Sequence, residues 1–119
     1  MALSGLLPLL KDLPAYRELL GKLADWSTDA DSRIGVLEAA KPFLLAGLQA
    51  DVARTTLVLV ADYQQSRRLY EQIAAWSASP GQVLWFPAYH GLFYDRVPAD
   101  PGTTQLRQAT LAALANTEG

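Results

Sequence analysis

The sequence predicts an α/β fold: a doubly wound, three-layer sandwich in which helices cover both faces of a parallel sheet, with helices at the N-terminus. Three observations predict it. The run Thr55-Thr56-Leu57-Val58-Leu59-Val60-Ala61 is β-branched and apolar on both faces, as a central parallel strand between helical layers must be. Shorter runs of similar character, Arg33-Ile34-Gly35-Val36 and Gln82-Val83-Leu84-Trp85-Phe86, flank it in sequence. Amphipathic stretches separate the three, so the order reads β-α-β-α-β-α.

From the N-terminus, Leu6, Leu7, Leu10 and Leu13, and then Tyr16, Leu19, Leu20 and Leu23, recur at helical spacing. They predict two short helices, the first capped by Ser4 and the second opened by Pro14, whose missing N–H costs nothing in a first turn. Ser27-Thr28-Asp29-Ala30-Asp31-Ser32 carries turn chemistry and nothing apolar larger than Ala. It predicts a loop that divides the chain into a helical extension over 1–32 and an α/β module over 33–119. Pro42 to Gln49 reads as a buried helix with its Pro in the first turn. Asp62 caps a helix to about Trp76, with Leu69, Tyr70, Ile73 and Trp76 on one stripe and Gln64, Arg67, Arg68 and Glu71 facing water. Pro80-Gly81 turns the chain, a loop runs from Pro87 to Gly102, and a last helix over Thr103–Asn116 turns Leu106, Thr110, Leu111 and Leu114 inward.

Composition narrows the function. At 119 residues, 50% hydrophobic and 18% charged, the chain can bury one core but is small for an enzyme with two lobes and a cleft. Ten Lys plus Arg against twelve Asp plus Glu leave a net charge of −2, so no global positive field holds nucleic acid and any DNA contact must be local. The absence of Cys excludes disulfides and thiolate chemistry, and a single His argues against a His-based metal site. No apolar run approaches the roughly 18 residues that span a bilayer, and the expected location is the cytoplasm, away from membranes.

In open parallel sheets ligands bind beyond the carboxyl ends of the strands, which directs attention to the turn after the first strand. A phosphate loop, G-x-x-x-x-G-K-[ST], uses glycines for tight geometry, amides to cradle phosphate, Lys for the outer phosphates and a hydroxyl for magnesium. The corresponding frame here is Gly35-Val36-Leu37-Glu38-Ala39-Ala40-Lys41-Pro42. Gly35 and Lys41 stand at the right spacing. The second Gly is replaced by Ala40 and the hydroxyl by Pro42, which also lacks an N–H. Glu38 places a negative charge where an anion would sit. Charge-assisted hydrogen bonds contribute about 1.5–3 kcal/mol each, so the loss of two or three reduces micromolar nucleotide affinity to nothing measurable. Lys41 then reads as a relic at a helix start, placed to pair with Glu38, and no cofactor is expected.

Phe86-Pro87-Ala88-Tyr89-His90-Gly91-Leu92-Phe93-Tyr94-Asp95-Arg96 resembles the F-P-x-W-E-T-L-P-Y-D-R signature of the N-terminal region of bacterial transcription-repair coupling factors. Phe86, Pro87, Leu92, Tyr94, Asp95 and Arg96 match it. Without a gap, Pro101 falls on the second Pro of S-P-H-P-D, Arg107 on the Arg of S-E-R, and Ala109-Thr110-Leu111 on the A-T-L that follows. Tyr89, His90, Gly91, Phe93 and Asp100 depart from the pattern. That N-terminal module is similar to the first domain of the excinuclease component UvrB, whose phosphate loop reads G-V-T-G-S-G-K-T; Gly35, Val36 and Lys41 are its counterparts here. The resemblance spans about Ile34 to Leu114. It implies a degenerate RecA-like module whose parent protein works with UvrA, RNA polymerase and DNA, while the UvrA-binding surface and the translocating motor lie beyond this stretch.

Among single residues, His90 lacks an evident catalytic partner and reads as a solvated loop residue. Tyr94, Asp95, Arg96 and Arg107 are candidates for a DNA or interdomain contact, Arg96 on a phosphate and Tyr94 on a base, against the plainer reading in which Asp95 and Arg96 fix the loop. Arg67 and Arg68 are solvated helix residues, and Trp26, Trp76 and Trp85 are core or interface anchors. The sequence thus predicts a non-catalytic module of a transcription-repair coupling factor, serving recruitment of the excision machinery and restraint of the translocase. The alternative is the nucleotide-binding fragment of a superfamily 2 helicase or of UvrB itself, in which Lys41 still holds phosphate.

Overall fold

A computed structural model of the chain describes residues 3–24, 33–88 and 101–116. Among these residues it contains helices and no strand, so the expected parallel-sheet sandwich is not formed. A 3-10 helix over Leu3–Asp12 leads into α1, Pro14–Ala24. A short 3-10 turn, Glu38–Ala40, runs directly into α2, Lys41–Val52. Then come α3, Tyr63–Trp76, a 3-10 turn over Pro80–Gln82, and α4, Pro101–Asn116.

Local chemistry explains most of the boundaries. Pro14 is the first residue of α1, where its missing N–H has no intrahelical partner to lose. Asp62 has extended backbone and its Oδ1 accepts from the Gln65 N–H at 2.8 Å, the side-chain cap that starts α3. α2 ends at Ala53, which takes the left-handed conformation at φ 53°. Ser4, expected as a cap, lies inside the first helix. The expected loop over Ser27–Ser32 and most of that over Pro87–Gly102 fall outside the described residues, and α4 already begins at Pro101.

The core gathers around α2, which packs against the first helix, α1 and α3. Leu7, Leu10, Tyr16, Leu19 and Ala46 are buried there. Gly47 marks the closest approach: a Cβ at that position would collide with Leu10 Cδ1, so the first helix lies directly on the α2 backbone. Two polar contacts hold the same seam. The Tyr16 hydroxyl donates to Asp51 Oδ2 at 2.5 Å, and Lys11 Nζ lies 3.3 Å from Asp51 Oδ1. Arg54 Nη1 donates to the Leu23 carbonyl at 3.1 Å, at the end of α1 where carbonyls run out of intrahelical donors. On the other side of α2, Phe43 meets Trp76 of α3 with ring centroids 4.8 Å apart.

Apart from Gln82, which closes a 3-10 turn, the three runs expected to be strands are non-helical, and among the described residues they pair with no other strand. Along Leu57, Val58, Leu59 and Val60 the exposure alternates between about four-fifths and two-fifths, the period of two of an extended chain with one face more covered than the other. Composition had set that local conformation. A sheet needs a second strand 4.7–4.9 Å away to accept its hydrogen bonds, and no described segment takes that place. Residues 83–88 run instead between α3 and α4. Trp85 Nε1 donates to Ser66 Oγ at 3.0 Å, and its ring meets those of Tyr63 and Tyr70 at 5.2 and 6.1 Å. The inward stripe expected on α4 is also corrected: Leu106, Leu111 and Leu114 are exposed, whereas Thr103 is buried and Thr110 half-buried. With no sheet beneath it, α4 packs through polar residues on the 83–88 segment and on no other helix among those described.

Candidate functional site

The turn over 35–42 leads into a helix, as a phosphate loop does, but follows no strand among the described residues and has a different geometry. Leu37 is extended, at φ −58° and ψ 140°, and Ala40 and Lys41 are already right-handed helical. The chain therefore closes into helix one turn before Pro42. Closing consumes two amides of the frame: the Ala40 N–H donates to the Leu37 carbonyl at 2.9 Å, and the Lys41 N–H donates to the Glu38 carbonyl. Pro42 offers none. Three consecutive positions thus present no outward donor.

The side chains complete the effect. Lys41 Nζ lies 2.7 Å from Glu38 Oε2, so the ammonium that would reach outer phosphates is held by the carboxylate three residues before it. Both groups are substantially exposed, and water and salt weaken the pair. An incoming anion must nonetheless displace a carboxylate already in contact. Gly35 also lacks the strained backbone of a phosphate-loop glycine: its φ lies outside the left-handed region and a Cβ there would meet nothing within 4 Å. Two shallow depressions lie elsewhere, one along Tyr63, Gln64, Arg67, Arg68 and Glu71 of α3, the other between α1 and the end of α2.

A second cluster unites residues that carry the resemblance. The Arg107 guanidinium stands 4.0 Å from the centroid of the Phe86 ring, and its Nη1 donates to the Pro87 carbonyl at 2.8 Å. One turn on, the single Thr110 hydroxyl proton is shared between the Leu106 carbonyl of its own helix at 3.0 Å and the Trp85 carbonyl at 3.3 Å. Pro87 is fully buried beneath this contact. Arg107 therefore fastens α4 to the 83–88 segment. Tyr94, Asp95, Arg96, His90 and Trp26 lie outside the described residues. Arg67 and Arg68 are exposed on α3, with Arg67 Nε 3.4 Å from Glu71. Among the described residues no three acidic or imidazole groups converge as metal ligands, and no helix is long and apolar enough to cross a membrane.

Sequence reasoning missed the Tyr16–Asp51–Lys11 contact, the most buried polar feature near α2. Burial, and then the hydrogen bond and charge of Asp51, push the Tyr16 hydroxyl well above its ordinary value near 10, so it stays protonated and donating. The only sequence signal was Tyr on the apolar stripe of α1 and Asp at the end of α2, residues too far apart for spacing to join them. No family model, curated protein or solved structure matches the chain.

Proposed function

We propose that the chain is a non-catalytic module of a transcription-repair coupling factor, contributing in the parent protein to recruitment of UvrA and restraint of the DNA translocase. The observation that carries its non-catalytic character is the turn before α2, where the Ala40 and Lys41 amides are spent on the preceding carbonyls and Glu38 occupies the Lys41 ammonium. The repair assignment rests on the register from Phe86 to Leu111. Its support is that Phe86, Pro87, Arg107 and Thr110, which carry that register, form one contact cluster.

Titration calorimetry with magnesium-ATP tests the first part: no heat is expected at millimolar nucleotide, and micromolar binding overturns it. A variant with Glu38→Gln, Ala40→Gly and Pro42→Thr restores the missing groups together, and binding gained only there supports a lapsed cradle. Binding by the native chain that Lys41→Ala abolishes would favour the helicase-fragment reading. The regulatory part is read in the parent protein. Deleting residues 33–116 should raise its unstimulated ATP turnover, and unchanged turnover would remove the restraint role.

A further inference from the structure

Residues 55–61 form an exposed run with no ladder partner among the described residues. Leu57 and Leu59 are 81% and 84% exposed, Val58 and Val60 about half that, and among the described residues none of the four forms a backbone hydrogen bond. A bare, uncharged, β-branched segment of this length is an open template for an added strand. Its ends are not neutral. Arg54 precedes it and Asp62, itself extended at φ −143° and ψ 167°, follows it.

We infer that this segment is a self-association edge that takes the same segment of a second copy as an antiparallel strand, centred on Val58. The charges select both partner and direction. With Val58 opposite Val58 of the second copy, Arg54 lies opposite Asp62 at both ends of the pair, Thr56 opposite Val60, and Leu57 opposite Leu59. A parallel in-register pair would set Arg54 against Arg54 and Asp62 against Asp62, and like charges directly opposite are destabilising. A shift by one residue would move the contacts of Val58 and Val60 to the opposite face. In the centred register the residues of even number share the less exposed face in both copies, so the four leucines join on the open face. A guanidinium carries five N–H donors and a carboxylate two oxygens, so Arg54 and Asp62 can meet across the pair while the Asp62 cap on Gln65 and the Arg54 bond to Leu23 persist.

Sedimentation velocity from micromolar to millimolar chain should show a monomer–dimer equilibrium. Because the chain has no Cys, single cysteines report the register. Val58→Cys should cross-link to itself under mild oxidation and Leu57→Cys should not. Arg54→Glu and Asp62→Lys should each raise the dimer dissociation constant by about tenfold or more, since each replaces two attractions by two repulsions. An equimolar mixture of these two variants should associate better than either alone, because every pair across the mixed dimer is again opposite in sign. The decisive comparison is with Arg54→Glu alone, which keeps the Asp62 cap, so a gain in the mixture cannot come from restoring the cap. A chain that stays monomeric throughout, self-cross-linking of Leu57→Cys as fast as Val58→Cys, or a mixture no tighter than its components would overturn the inference.

Discussion

Leu10 and Leu59 are the same residue in similarly apolar stretches, and one is 4% exposed while the other is 84% exposed. The difference lies in what each backbone can do alone. The helix that carries Leu10 satisfies its hydrogen bonds internally, so its side chains need only an apolar surface, which α2 supplies at Ala46 and Gly47. The segment that carries Leu59 is extended and can satisfy its hydrogen bonds only against another strand. The first helix finds its partner in α2, whereas the 57–60 run has no ladder partner among the described residues.

The largest effect expected is on the packed side. Leu10→Ala empties a buried site and should cost about 2–4 kcal/mol in denaturant unfolding. Gly47→Ala alone should cost about 1–2 kcal/mol, because the new methyl overpacks against Leu10 even though Ala is the better helix former. The double variant should be more stable than the sum of the two losses predicts, since each change relieves the other's misfit. Strict additivity would mean that the first helix does not rest on the α2 backbone.

Tyr16→Phe should cost about 1–2 kcal/mol at neutral pH by leaving Asp51 without its buried donor. It should also change the alkaline behaviour. The Tyr16 hydroxyl has its affinity for the proton raised in the folded state, so above pH 10 the unfolded chain holds fewer protons than the folded one and stability falls as pH rises. The stabilisation is fully present below the ordinary tyrosine value near 10 and is lost as pH climbs through the higher folded one. Chemical denaturation between pH 8 and about 11 should show a decline in the native chain that is shallower in Tyr16→Phe. Parallel curves would place the tyrosine outside the seam.

How far the sequence reached follows the same division. Pro14, the Asp62 cap and the half-buried stripe of α3 were legible because capping and helical periodicity are local. The Glu38–Lys41 contact was legible too, three residues being one helical turn. The sheet was not. Alternation and β-branching at 55–60 specify an extended backbone, but pairing depends on what lies alongside, which no pattern within the segment encodes. The seam through Tyr16, Lys11 and Asp51 was hidden for the opposite reason: each residue is ordinary where it stands, and only the fold of α2 against the N-terminal helices makes them neighbours. At the turn before α2 the substitutions were visible in the sequence, while the spending of the Ala40 and Lys41 amides required the backbone.

Ala53 sits at the junction of the two regions, ending α2 with a positive φ that a Cβ disfavours. Ala53→Gly should therefore stabilise the chain, by up to about 1 kcal/mol, an uncommon sign for a substitution that removes a methyl group. A destabilisation would show that the unfolded-state entropy of glycine outweighs the relieved strain, and that α2 does not end in the left-handed conformation.

The smallest effect expected is also the most discriminating. Leu59→Ser removes a large apolar side chain, yet measured where the chain is monomeric it should alter unfolding free energy by no more than about 0.5 kcal/mol, because a leucine 84% exposed has little burial to lose. At high concentration the same variant should resist association, since the open apolar face is interrupted. A loss at low concentration approaching that of Leu10→Ala would mean that Leu59 already has a partner within its own chain. The contrast between the two leucines would then collapse, and the exposed edge with it.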